Sequence, residues 1–333
     1  MKKYIALFMA LVMAFTFMAV SASADDDTVY TFFVCHADNE GTPVDEATAK
    51  WAEWAYEESN GRLVLELYPA SQMGNPQDVL DAAIAGDYVI SIGQGGYYAD
   101  LGVNEFDATF APYLYKNWGD FDKLTQSDWY KGKLDELEND IGLKVVSLGW
   151  HYGVRQTMST FKIEHLSDIE GKIVRLPGVS AQVIGYRSMG ATTVTMGMTE
   201  VYTALQQGTI DACENQLFGL YSNGFYEVCP YLTMTNHCYV DCNWCLNKDI
   251  FYSMPEDLQE ILVSTGAKAT EYYNEIVDAA EAEAYDKLVE TGIEINEIDY
   301  DEFASITPIF FQAEEHASWD PNLYETLRAA IES

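Results

Sequence analysis

From Val29 onward the chain alternates between two hydrophobic periods, and that alternation limits its fold more than any other feature. Residues 29–35 form a short apolar, β-branched run. Residues 44–58 follow, with Ala47, Trp51, Ala52, Trp54 and Ala55 spaced for one helical face and Gly61 just beyond its end. Leu63, Leu65 and Leu67 then alternate with Val64 and Glu66, as in a strand. Asn75-Pro76 reads as the cap and first turn of a helix to Ala85, stopped by Gly86, and 89–92 is strand-like again. A second series repeats the grammar: strands at 144–148 and 172–176, a helix over 180–189 ending at Gly190, and a strand at 192–195. A helix over 199–207 stopped by Gly208 and a strand at 210–213 complete it. This order predicts an α/β fold, a mostly parallel sheet covered by helices on both faces.

Two features point to two lobes. "VLDAAIAGDYVIS" and "VYTALQQGTIDAC" share one order of amphipathic helix, glycine stop and short strand, the echo that lobes built on one plan would leave. Residues 255–290 hold no glycine except Gly266 and are rich in Ala, Glu, Lys and Leu. About 30 helical residues span ~45 Å, more than one lobe needs and enough to bridge two. The tail adds a strand signal at 293–295 and a helix near 323–331.

The first residues stand apart from this pattern. Lys2 and Lys3 precede an almost unbroken apolar run over 4–20, then Ala22-Ser23-Ala24 and three aspartates. That order reads as a secretory signal peptide, 1–24, cleaved after Ala24, and places the protein in the periplasm. No cysteine near the cleavage point offers a lipid anchor. The balance of 18 Lys and Arg against 53 Asp and Glu gives a formal charge of −35. Nucleic acid and anionic membrane surfaces, which need basic patches, are excluded as partners.

Enzyme signatures are missing: no GxSxG, GxGxxG, Walker loop or HExxH occurs, so neither an enzyme nor a cofactor is expected. No metal is expected at Cys238, Cys242 and Cys245, because 239–246 reads as a strand whose neighbouring side chains point to opposite faces. No second CxxC or HxxxH completes a ligand set. Arginine is more telling. There are five, Arg62, Arg155, Arg175, Arg187 and Arg328, and three fall between 155 and 187. In so acidic a chain, anion capture needs a local fork that donates parallel hydrogen bonds to a carboxylate. Arg175 ends the strand at 172–176, where open α/β sheets collect ligands. Asn215 stands two residues past 210–213, with an amide that both donates and accepts. A structural ion pair is the competing reading of Arg175.

At these residues the sequence resembles a family. "GRLVLELYPASQMG", "YGVRQTMS", "LSDIEGKIVRLPG", "MGATTVTMGMTEVYTALQQGTIDACENQ" and "YLTMTNH" follow, in order, the pattern of DctP-type solute-binding subunits of tripartite ATP-independent periplasmic (TRAP) transporters. The resemblance implies a two-lobed periplasmic-binding-protein architecture, type II-like, with a long helix spanning both lobes. It implies a cleft that closes on a small organic acid and delivery to TRAP permease membrane subunits by a monomeric carrier. It places the carboxylate-clamping arginine on Arg175, a secondary arginine on Arg155 and the cleft asparagine on Asn215. The sequence departs at Gln216, where "EN" is often followed by proline. Near family cleft segments lie Trp150, His151, Phe218 and Trp244, with Gln94 and Tyr97 after the strand at 89–92. The lobes are expected at 28–150 with 240–280, and at 151–239 with 281–333. A ligand-sensing protein that feeds a signalling receptor is the alternative.

Overall fold

The computed structural model describes residues 28–333, so the signal peptide and its cleavage site lie outside the described residues. The first half runs β1 (Tyr30–Cys35), α1 (Pro43–Glu58), β2 (Leu63–Tyr68), α2 (Pro76–Ala85), β3 (Val89–Gly93) and α3 (Gly95–Asp100). A 3-10 segment, Asn104–Phe110, leads to α4 (Trp118–Thr125), α5 (Asp128–Glu136) and β4 (Leu143–Ser159). The second half runs β5 (Ile173–Leu176), α6 (Ser180–Ser188), β6 (Thr192–Thr195), α7 (Met198–Gln206), β7 (Ala212–Asn215), α8 (Leu217–Ser222) and β8 (Tyr231–Asn247). Then come α9 (Lys248–Ser253), α10 (Glu256–Glu290), β9 (Glu294–Glu297), α11 (Tyr300–Ala304), α12 (Thr307–Phe311) and α13 (Leu323–Glu332).

Local chemistry accounts for the boundaries that periodicity located. Asn75 accepts from the Asp78 amide while Asp78 accepts from the Asn75 amide, a reciprocal cap that starts α2 at Pro76. In β2, Leu63 and Leu65 turn inward to the core while Glu66 faces water.

The sheet is mixed, its parallel pairs outnumbering the antiparallel ones five to three. Its order is β2-β1-β3-β8-β4-β7-β5-β6, with β9 beside β8. The pairs β1–β2, β1–β3, β5–β6, β5–β7 and β8–β9 are parallel, and β3–β8, β4–β8 and β4–β7 are antiparallel. The antiparallel pairs come from β4 and β8, 17 residues each, far longer than 144–148 and 239–246 suggested. The C-terminal end of β8 pairs with β3, and the beginning of β4 lies against that same end; their opposite ends pair with β7 and β9. Both strands therefore run through both lobes. Register shifts between Val145 and Thr157 break the ladder where they cross, and the interrupted alternation hides the strand from a period-two reading.

Helix α10, 35 residues and about 52 Å long at 1.5 Å per residue, lies along these crossing strands. Near its start, Trp51 of α1 donates its indole N–H to Leu262 O at 3.3 Å and Thr265 Oγ1 at 3.2 Å. Gly266 lies tight against β4. A Cβ there would stand 2.8 Å from Val146 O, which explains the single glycine in the segment. Two turns from its far end, Glu281 accepts from the backbone amides of Leu217 and Phe218 at the start of α8. The helix thus touches α1 in the first lobe and α8 in the second. The terminal helix α13, in a segment expected with the second lobe, buries Leu323, Leu327 and Ile331 in the same core as Phe121 and Leu124 of α4.

Candidate functional site

Three adjacent strands assemble the polar centre. β7 lies between β4 and β5, with Gln156 opposite Asn215, Thr157 opposite Glu214 and Arg175 opposite Cys213. Arg155 is buried on β4 and grips the buried Glu214 carboxylate with two prongs: Nε donates to Oε2, and Nη2 donates to Oε1 at 2.7 Å. Nη1 reaches Gln216 Oε1 at 3.4 Å, and His237 Nε2 stands 3.5 Å from Glu214. Burial alone would raise the Glu214 carboxyl, but the adjacent guanidinium outweighs it and holds the group down at about 2. The same pairing raises Arg155 against its own desolvation. The two charges cancel inside the protein.

Among the described residues Arg175 has no such partner. It is 3% exposed, and its Nε and Nη2 donate to the Met196 carbonyl, just past β6, at 3.0 and 2.6 Å. That grip fixes the guanidinium plane. Nη1 is buried with no hydrogen-bond partner. Burial weakens the group's hold on its proton, and the Glu214 charge offsets this only in part. A buried cation with an idle donor and no carboxylate against it is expensive, so this arginine is not a structural ion pair. A bound anion would supply what it lacks.

Asn215 is the last residue of β7, not a residue beyond it, and is buried; its Oδ1 accepts from the Gln216 amide. From the first lobe, Gln94 precedes α3 without a side-chain capping bond and is buried, and Tyr97 follows in that helix. Burial pushes the Tyr97 hydroxyl up to about 12, and it lies in the fields of Arg155, Asp38 and Arg175. Arg155, Arg175 and Asn215 thus come together on the adjacent strands β4, β5 and β7, and Tyr97 reaches their fields from α3. The lobes touch beside them: a Cβ on Gly96 would sit 2.3 Å from Val179 Cγ1.

The other four candidates lie elsewhere. Trp150 and Trp244 are fully buried, their rings 5.4 Å apart with Tyr273 4.8 Å from Trp150, in the core under α10. His151 points away from the centre, stacked on Trp118 at 4.1 Å with Nε2 3.1 Å from Asp122. Phe218 packs in the core that α10 covers. The register shifts around residues 147–153 decide which side of β4 Trp150 and His151 take, and the sequence does not show them. The cysteines are all buried and free; Cys242 lies in one core, Cys238 and Cys245 in another. Among the described residues no group of His, Cys, Asp and Glu could hold a metal.

Asp38, Tyr152, Glu214 and His237 escaped the sequence reading. Glu214 is fully legible only with its partner, since one more acid means little among 53. Asp38 carried a usable signal, because it follows β1 as Arg175 ends β5 and the same strand-end rule applies.

A family model described as bacterial extracellular solute-binding protein, family 7 (DctP) matches residues 34–310. The C4-dicarboxylate-binding periplasmic protein DctP of Rhodobacter capsulatus is 27% identical over 279 residues, covering 84% of this chain and 80% of the relative. A TRAP periplasmic solute-binding protein from Ochrobacterium anthropi, solved with bound L-fuconate, superposes with a TM-score of 0.84 at 29% identity; the match covers 91% of this chain and 99% of that one. Its counterpart from Actinobacillus succinogenes 130z, with bound L-galactonate, gives 0.85 at 27% identity with the same coverage.

Proposed function

The chain belongs to the bacterial extracellular solute-binding protein family 7, and from that premise we propose that it captures a small organic acid on Arg175 and presents it to a TRAP permease. It is a two-lobed α/β solute-binding protein of the TRAP type. The relatives named for C4-dicarboxylate binding and solved with fuconate and galactonate bind carboxylates, and this supports an acid as the ligand here. In our reading the protein is exported by the segment 1–24, works in the periplasm as a monomer and has no catalytic role.

One observation carries the proposal: the buried, oriented Arg175 guanidinium with Nη1 unsatisfied. A carboxylate docked on that edge gains charge-assisted hydrogen bonds and relieves the burial cost together. Asn215 offers an amide beside it. Arg155, already committed to Glu214, acts by shaping the floor and the field. Gln94 and Tyr97 close from the first lobe, and lobe closure buries the acid. A thermal-shift screen against organic acids followed by calorimetry tests this. Arg175→Ala should lose affinity by roughly thirty-fold to several thousand-fold, the loss of a partner to a buried charge. Arg175→Lys should also bind poorly, because a point charge does not reproduce the fork. Binding of the Arg175→Ala variant within about threefold of the parent would move the anchor elsewhere.

A further inference from the structure

The end of β1 carries a carboxylate without a cation. Asp38 follows β1, and β1 and β3 are parallel neighbours, so Asp38 shares one strand-end surface with Gln94 and Tyr97. The Tyr152 hydroxyl, from β4, stands 3.0 Å from each Asp38 carboxylate oxygen and donates to the pair. No Lys, Arg or His pairs with Asp38 among the described residues. Tyr97 lies within the fields of both Asp38 and Arg175. With Arg155 and Glu214 cancelling each other, Arg175 stands without a carboxylate and Asp38 without a cation among the described residues.

We propose that Asp38, held by Tyr152, selects the ligand's far end, so that the protein takes a monocarboxylate bearing hydrogen-bond donors remote from its carboxylate and rejects dicarboxylates. This rests on Arg175 as the carboxylate anchor. An ionised Asp38 has only acceptor atoms, and one hydroxyl donor does not fill them. A ligand hydroxyl or ammonium completes the set. A second ligand carboxylate would bring like charge against Asp38 in a closed, water-poor site, where such juxtaposition is strongly unfavourable. Charge balance agrees: a monoanion on Arg175 leaves the cleft no more negative than Asp38 alone makes it, and a dianion adds an uncompensated charge.

The test is calorimetry on the purified protein with matched acids. Hexonates (galactonate, gluconate) carry donor hydroxyls at the far end, and the corresponding hexarates replace that end with a carboxylate. 6-Aminohexanoate supplies an ammonium instead, and succinate is a short dicarboxylate. The hexonates, or in the ammonium case 6-aminohexanoate, should bind at least about tenfold more tightly than either dicarboxylate, from one hydrogen bond to a charged group. In Asp38→Asn this preference should narrow about tenfold, with hexarate binding improved. Tyr152→Phe, which keeps the ring, should shift it in the same direction. Hexarate or succinate binding the parent as tightly as the donor-bearing acids overturns the inference and leaves the carboxylate anchor standing. An unchanged preference in both variants also overturns it. No binding in any arm removes both this inference and the carboxylate reading beneath it.

Discussion

Removing the Glu214 carboxylate should destabilise this protein more than removing almost any other surface or cleft acid. Glu214 is 1% exposed and Arg155 5%, so Glu214→Ala leaves a guanidinium in the interior with its two-pronged acceptor gone. Breaking a buried pair from one side costs about 3–5 kcal/mol, a large part of the ~5–15 kcal/mol typical of folded domains. At roughly 2–4 °C per kcal/mol for chains of comparable size, the thermal midpoint should fall by about 6–20 °C. Glu214→Gln, which keeps an acceptor for Nη2, should lose less. Replacing both partners by apolar residues, Arg155→Met with Glu214→Leu, should recover most of the loss, because no charge is then stranded. Calorimetric melts of the four proteins at pH 7 form the cycle. The pH axis adds an independent check. Glu214 is held at about 2, below an unfolded value near 4.3. Its contribution is therefore complete above that unfolded value and fades as pH falls toward 2, and Glu214→Ala should lack that limb. A Glu214→Ala midpoint within about 2 °C of the parent would refute the reasoning, since it would mean the guanidinium finds water or another anion without cost.

Two further outcomes follow from the same structure. Gly96→Val should impede closure, because its Cβ would stand 2.3 Å from Val179 Cγ1; scattering should then show no ligand-dependent decrease in the radius of gyration, and an undiminished decrease would count against contact at that point. Asp107, Asp241 and Glu281 are each pushed up to about 7 by burial, so the stability they contribute is present at low pH and lost as pH rises through 7. Buried, lowered His36, His237 and His316 oppose this over the same range, so the check is differential: between pH 8 and pH 6 the melting midpoint of Asp107→Asn should gain less, or lose more, than that of the parent, and identical pH profiles would contradict the raised carboxyl.

How much was legible can be judged from particular residues. The α2 boundary was readable because its signals are local: Asn75, Pro76 and Asp78 make the cap within four positions. The length of α10 was readable for the same reason, as a run of helix formers without a break. β4 was cut short at Leu148 because regular alternation fails where the strand shifts register. The strand-end positions of Arg175 and Asn215 could be read, since a strand end followed by a turn marks a position whatever the rest of the fold does.

What the sequence by itself determined was therefore the set of elements, the α/β class and the arginine at a strand end, each written in periods and caps a few residues long. Tertiary structure alone decided which charges are free. Arg155 and Arg175 look alike along the chain; the neighbour β7 places Glu214 against the first, and the loop after β6 gives the second a carbonyl in place of a carboxylate. It likewise decided that Trp150 and Trp244 face the core under α10, and that Asp38 meets Tyr152 from a strand 114 residues away. Such pairings depend on strand order and register, which short-range patterns do not encode, and here they leave one buried arginine against a carboxylate and the other against a carbonyl with an idle donor.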